Sequence, residues 1–285
     1  MSATSSIPAP TAVMARAGGE NFPVASRVLP RAQRRHLLAI YGFARLVDEL
    51  GDALAGDRLQ ALDQLERELD RAFDPDARPG WELLARLQPT IQACALPAAP
   101  FHALIEANRR DQRVHRYGTF AELLDYCALS ADPVGELVLH VFGAATPERL
   151  RLSARICSGL QLAEHWQDVA EDYRAGRIYI PAEDLERFDV AEHELGERTA
   201  GPRLRELLAF EVARTRALLD SGAPLIGTLR GRPALAVAAF VAGGRAALRA
   251  IERSGFDVLA QPPRASRAAL ALELVRLLAG GGGRR

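Results

Sequence analysis

The chain has 285 residues and a mass of 30.9 kDa; it is 48% hydrophobic and 25% charged, and its 36 basic and 36 acidic side chains give a formal net charge of zero. That balance gives nucleic acid no electrostatic footing, and the length suits one large domain or two small ones with a sizeable core. Every basic residue is arginine and lysine is absent, which excludes a lysine Schiff base, a pyridoxal-phosphate lysine and a P-loop lysine.

Residues 1–20 are rich in Ala, Ser and Pro and lack the continuous apolar core of a secretory signal, so they read as a flexible leader and the protein as cytoplasmic. Beyond them apolar residues recur at intervals of three and four, broken by Pro, Gly or Asp, which is an all-α pattern. Helices are expected at 30–52, 58–73, 81–93, 100–110, 120–128, 133–142, 147–173, 203–219, 233–251 and 264–279, with prolines near several starts, where a missing N–H costs little. No repeat of fixed period and no long linker is visible, so a single α domain over 21–279 is expected, with 280–285 as a flexible tail. The most apolar window, 234–242, reads as ending at Gly243 and Gly244, short of the roughly 20 residues that span a bilayer.

Cys94, Cys127 and Cys157 are odd in number, widely spaced and without a C-x-x-C pair, which fits small buried hydrophobes in a reducing compartment better than disulfides or a zinc site. The histidines, His36, His102, His115, His140, His165 and His193, form no H-E-x-x-H, and Ser158-Gly159 sits inside a helical pattern and not in a nucleophile elbow, so neither a zincin nor a hydrolase triad is supported. The pairs Arg34-Arg35 and Arg109-Arg110 read as solvated faces, with contact to an anionic lipid or diphosphate as the functional alternative.

Two long predicted helices carry the chemistry. In the first, Tyr41, Arg45, Asp48 and Asp52 are spaced by four, three and four, which places them within about 60° of one another on one polar stripe. Phe43, Leu46 and Leu50 make the opposite, apolar side. In the second, Gln161, Glu164, His165, Asp168 and Asp172 share a stripe, and Ala163, Trp166, Ala170 and Tyr173 point away. Carboxylates at i and i+4 repel, whereas a shared magnesium ion, which takes one or two protein carboxylates and completes its shell with water and phosphate oxygens, would make each pair useful. Spacing alone does not decide, because 16 aspartates in this length give about one Asp-x-x-x-Asp by chance; Asp70 and Asp74 are such a pair.

Context decides. In order along the chain come Asn21-Phe-Pro-Val-Ala-Ser-Arg-Val-Leu-Pro30, Tyr41-Gly-Phe-Ala-Arg-Leu-Val-Asp-Glu-Leu-Gly-Asp52, Arg116-Tyr-Gly-Thr-Phe-Ala-Glu-Leu-Leu-Asp-Tyr126, Ser130-Ala-Asp-Pro-Val-Gly135 and Gln161-Leu-Ala-Glu-His-Trp-Gln-Asp-Val-Ala-Glu-Asp-Tyr-Arg-Ala-Gly-Arg-Ile-Tyr-Ile-Pro181. This series resembles the squalene and phytoene synthase family, and the first segment and the Trp-Gln-Asp-Val form of the last are most similar to its bacterial hopanoid-pathway branch, the hydroxysqualene synthases. The resemblance implies a single-domain all-α isoprenoid synthase fold, with a central cavity between helices and the two acidic motifs facing across its mouth. It implies that Asp48, Asp52, Asp168 and Asp172 bind magnesium, with manganese a workable substitute, that Arg45 meets the diphosphate, that Tyr41, Tyr126 and Gln161 line the reacting end, and that Phe22 lies near the substrate entrance. Two departures stand out. The first motif has Asp-Glu-Leu-Gly-Asp where the family often has adjacent aspartates, and Glu164 stands where many relatives have asparagine, adding a candidate metal ligand and a negative charge. Gln167 occupies a position where phytoene synthases commonly have arginine.

The implied reaction is ionisation of a prenyl diphosphate. Metal ions and Arg45 neutralise the departing diphosphate, while aromatic faces such as Tyr41, Phe22, Tyr126 and Phe142 stabilise the carbocation. In the hopanoid branch the substrate is presqualene diphosphate, water traps the cation to give hydroxysqualene, and no NADPH is needed. The alternatives are another head-to-head coupling, giving presqualene diphosphate, squalene, dehydrosqualene or phytoene, and a non-catalytic helical assembly protein, which the retained aspartates disfavour. A greasy product implies peripheral membrane contact for its release; oligomeric state and partner enzymes are not legible.

Overall fold

The computed structural model describes residues 29–54 and 56–280, so the leader, Phe22 and the tail beyond residue 280 lie outside the described residues. Every described element is helical. In chain order these are α1 (Arg31–Asp48), continued by a π turn (Glu49–Ala53), then α2 (Arg58–Phe73), α3 (Glu82–Cys94), α4 (Ala99–Asp111), α5 (Phe120–Ser130), α6 (Asp132–Val141), α7 (Pro147–Gln167), α8 (Val169–Arg174), α9 (Ala182–Arg187), a 3-10 turn (Glu192–Gly196), α10 (Pro202–Gly222), α11 (Leu225–Thr228), α12 (Gly231–Arg253) and α13 (Arg267–Gly280). An isolated parallel bridge, Arg116 with Ile178, is the only β pairing among the described residues. The expected all-α architecture is therefore the observed one.

Two compact units are formed, Met1–Arg113 with Pro133–Leu150, and Val114–Asp132 with Arg151–Arg285. In the first, α1 packs on α3 and α4, and α2 on the same two helices. Leu37, Ile40, Phe43, Leu46 and Leu50 of the first segment are buried, as the apolar stripe requires, each contributing roughly 1.5–3 kcal/mol by leaving water. Phe43 and Phe73 both meet Phe101 edge to face, with ring centroids 5.0 and 5.8 Å apart. Asp57, five residues beyond Asp52, caps α2 by accepting from Gln60 N at 2.9 Å and so fixes its start at Arg58.

In the second unit α12 packs between α10 and α13. The helix expected at 233–251 is observed as α12, which runs from Gly231 through Gly243 and Gly244 to Arg253. A Cβ on Gly244 would come within 2.8 Å of Leu160 Cδ2 and Leu219 Cδ2, so the glycine serves close packing against α7 and α10. By length and composition α12 could cross a membrane, but most of its apolar window is buried within the fold. The expected helix 147–173 bends at Asp168 (φ −105°, ψ 16°), although Asp168 N still bonds Glu164 O and Asp172 N bonds Asp168 O. The expected helix at 264–279 begins later, at Arg267, where Ser266 Oγ accepts from Ala269 N at 3.2 Å and acts as the cap.

Candidate active site

The first acidic motif lies at the end of α1. Tyr41 is buried, Arg45 and Asp48 are half-exposed and Asp52 is exposed, so the stripe runs from the core out to water. Arg45 Nη1 lies 3.6 Å from Asp48 Oδ2, while Arg45 Nε is buried without a hydrogen-bond partner. Seven residues before Tyr41 and on the same side of the helix, Arg34 also keeps a buried Nε without a partner. For Arg34 the solvated face and a diphosphate contact were both open in the sequence; the seven-residue spacing from Tyr41 and the buried Nε favour the second. Two arginines with undersatisfied inner nitrogens on one stripe are suited to an anion that brings its own oxygens.

The π turn that follows places Asp52 off the regular α-helical azimuth, because its hydrogen bonds span five residues and not four. Its shape is held from outside. Gln112 Nε2 donates to Gly51 O at 3.0 Å, and a Cβ on Gly51 would sit 2.0 Å from Asn108 Oδ1. Arg58 Nη2 donates to Asp52 O at 2.8 Å and its Nε to Leu54 O at 3.2 Å, clamping the far side of the motif.

The second motif is built on α7 and α8. Trp166 is fully buried, with Nε1 donating to Thr215 Oγ1 at 2.8 Å, and Ala163 and Ala170 are buried beside it. This anchors one side of the helix and turns Gln161, Asp168 and Asp172 the other way, where all three are half-buried; Glu164 is exposed. Asp168 Oδ1 is buried with no hydrogen-bond partner. Burial raises the Asp168 carboxyl above the usual range, Arg264 opposes that, and Glu171 adds to it.

Behind these carboxylates lies an aromatic cluster. Tyr179 stacks on His165 with centroids 3.6 Å apart, and Tyr126 lies 5.8 Å from Tyr179 and 6.3 Å from His165, with Tyr117 stacked 5.9 Å from Tyr179. Burial, helped by Arg177, pushes His165 down to about 3, so the ring is neutral. Its Nε2 then accepts from Gln161 Nε2 at 3.3 Å, and its Nδ1 stands 3.9 Å from Asp172 Oδ2. Thus His165 holds Gln161, while His165, Val169, Asp172, Arg177, Tyr179 and Leu195 line a small cleft.

Two motifs read separately in the sequence are joined here. Ile178 N bonds His115 O at 2.9 Å, Ala182 N bonds Tyr117 O at 2.9 Å and Glu183 N bonds Gly118 O at 3.0 Å, so the segment opening with Arg116 runs alongside the one closing with Pro181. Arg116 Nη1 reaches Gly176 O at 2.7 Å and Phe120 N donates to Glu183 Oε1 at 2.7 Å. Nothing in the sequence marks Tyr117 and Tyr179 as site residues; this pairing brings them to Tyr126. Gln167 is buried, and its Nε2 donates to Pro263 O, which brings the following residue, Arg264, close enough to act on Asp168.

Among the described residues no three His, Cys, Asp or Glu side chains converge into a ready-made metal cage. The donors on offer are carboxylate oxygens, one of them the buried and unpartnered Asp168 Oδ1, and this chemistry fits a hard divalent cation that retains water and phosphate ligands. The decoy pair has other duties: Asp70 lies 3.3 Å from His102 Nε2, and Asp74 accepts from Asp76 N at 2.9 Å. Arg109 is committed to Asp63 and Glu66 at 2.6 and 2.7 Å.

An all-helical fold carrying two acidic motifs, the second backed by an aromatic cluster, is that of the isoprenoid-synthase class. The squalene/phytoene synthase family model matches residues 15–270. The chain belongs to the squalene/phytoene synthase family, and is a prenyl diphosphate-processing enzyme. It is 35% identical over 219 residues to the hydroxysqualene synthase of Rhodopseudomonas palustris, covering 74% of this chain and 72% of that one. It is 31% identical over 257 residues to the phytoene synthase of Arthrospira platensis, covering 85% and 82%. The crystal structure of squalene synthase HpnC from Alicyclobacillus acidocaldarius aligns at TM-score 0.80 with 46% identity, covering 85% of this chain and 92% of that one. A dehydrosqualene synthase in complex with ligand aligns at TM-score 0.85 over 96% and 97% of the two chains; at 23% identity this is a likeness of fold.

Proposed function

We propose that this enzyme ionises presqualene diphosphate and lets water capture the cation, yielding hydroxysqualene for squalene and hopanoid biosynthesis. The carrying observation is the 35% identity to a hydroxysqualene synthase over most of both chains. Gln167 adds support: where phytoene synthases commonly offer an arginine, this chain has a buried amide committed to the Pro263 carbonyl.

Asp48, Asp52, Asp168 and Asp172, with Glu164 as a further oxygen donor, are the residues that would hold magnesium or manganese. The bound metal supplies neutralisation of the charge that builds on the diphosphate. Arg45 gives the diphosphate charge-assisted hydrogen bonds from a guanidinium whose Nε is otherwise unpartnered. The C–O bond breaks with its electron pair leaving on the diphosphate, and water adds to the carbocation and releases a proton, so no reductant enters. Tyr41 and Tyr126 face the prenyl chains in this reading, their rings offering their negative faces to the cation. Neutral His165 keeps Gln161 in place and adds no positive charge of its own to compete with the cation.

The test is product analysis by mass spectrometry after incubating the purified protein and magnesium, without NADPH, separately with presqualene, farnesyl and geranylgeranyl diphosphates. Hydroxysqualene from presqualene diphosphate alone is expected. Presqualene diphosphate or phytoene from the shorter substrates would move the enzyme to the coupling branch, and silence with all three would revive the non-catalytic reading.

A further inference from the structure

The outward side of α13 inverts the usual surface pattern. Of the four large hydrophobic side chains exposed among the described residues, three belong to this helix: Leu272 at 50%, Val275 at 62% and Leu278 at 50%. At 100° per residue they span about 120° of its circumference, and the exposed Ala268, Ala271 and Ala279 fill the same sector. No charged residue falls inside it. Arg267 and Arg276 stand at its two edges, both exposed. The only acid of the helix, Glu273, points the opposite way, 2% exposed, where Arg249 of α12 and Arg276 neutralise it.

The surrounding charge is one-sided as well. From Val258 to Gly280 the sequence carries Arg264, Arg267 and Arg276 against Glu273 alone, within a chain whose total charge is zero. An apolar stripe with a rim of arginines and no exposed acid is what an anionic lipid surface complements. A second copy of the chain would bury the same stripe only by setting arginine rims beside each other.

We propose that α13 docks the enzyme on membranes containing anionic lipid, laying Leu272, Val275 and Leu278 into the boundary between headgroups and acyl chains. Arg267 stays at the level of the lipid phosphates, while Arg276, paired with Glu273, covers the other apolar edge with its stem. The surface is independent of the reaction assigned above, and its test needs no substrate.

The experiment is cosedimentation of the full chain with large vesicles of phosphatidylcholine, with and without about 30% phosphatidylglycerol, at about 50 and about 500 mM salt. Binding at least about tenfold stronger to the anionic vesicles, and weakened by salt, is expected. Val275→Asp should weaken that binding about tenfold or more and Arg267→Gln about fivefold, each with an unchanged melting temperature; Leu272→Ser replaces Val275→Asp should the latter fail to fold. Failure of the parent chain to bind anionic vesicles would overturn the proposal. So would a folded stripe variant that binds as the parent does, or a dimer in sedimentation velocity that the stripe variant converts to monomer while vesicles are ignored.

Discussion

Gly51→Ala probes whether the first acidic motif is shaped by the helix beside it. The new methyl would lie 2.0 Å from Asn108 Oδ1 and 2.9 Å from its Cγ. Gly51 is not among the residues with positive φ, so the cost arises from crowding alone. Relief requires the buried Asn108 to swing away, breaking its 3.3 Å bond to Leu104 O and disturbing Gln112, whose Nε2 donates to Gly51 O and Asn108 O at 3.0 Å each. Overpacking costs about 1–3 kcal/mol and a lost hydrogen bond about 1 kcal/mol, so a destabilisation of about 2–4 kcal/mol is expected in urea unfolding. Turnover should fall too, since Asp48 precedes the disturbed turn and Asp52 lies within it. Asn108→Ala alone should cost about 1 kcal/mol, and the double variant about 2 kcal/mol less than the sum, because the second truncation removes the clash. Strict additivity in this double-mutant cycle would refute the argument.

Asp168→Asn should lower magnesium-dependent turnover more than about 100-fold in steady-state kinetics, with the melting temperature unchanged or raised because a buried carboxylate with an unpartnered oxygen is neutralised; retained turnover in the folded variant would remove Asp168 from the site. Asp70→Asn gives up only the 3.3 Å contact to His102 and should leave turnover intact and shift stability by less than about 0.5 kcal/mol. Glu211 is pushed up to about 8 from 4.5, first by burial, with Arg214 pulling it down and Asp184 competing for the same guanidinium. The folded chain therefore holds the proton more tightly than the unfolded one, so this group's contribution is full below about pH 4.5 and is lost as pH rises through about 8. Melting temperature should fall from about pH 5 to about pH 8.5, and Glu211→Gln should flatten that slope; an equal slope in the variant would exclude Glu211 as its source.

The long, strongly periodic helices were legible: Arg58–Phe73 has its expected bounds because Asp57 caps one end and the apolar period stops at the other. Residues whose position follows from one helix were legible too, such as Arg45 and Asp48, or Trp166 opposite Gln161. What stayed hidden depends on partners distant in sequence. The π turn at Glu49–Ala53 answers to Asn108 and Gln112, and the glycines of α12 answer to Leu160 and Leu219. The short elements Ala182–Arg187, Glu192–Gly196 and Leu225–Thr228 are too brief to show a period. Glu164 and His165 shared a predicted stripe but part in the fold, one exposed and the other enclosed by Tyr179 and Tyr126, because neighbours in a helix are a wide rotation apart and packing draws the line between them.

The π turn also bears on transplanting this chemistry into another scaffold. An ideal helix given the same letters from Asp48 to Asp52 would carry both carboxylates but aim the second along a different direction. The motif is thus a three-dimensional object whose specification includes Asn108 and Gln112, some sixty residues away, and a designer who copied the string without them would obtain its composition and not its geometry.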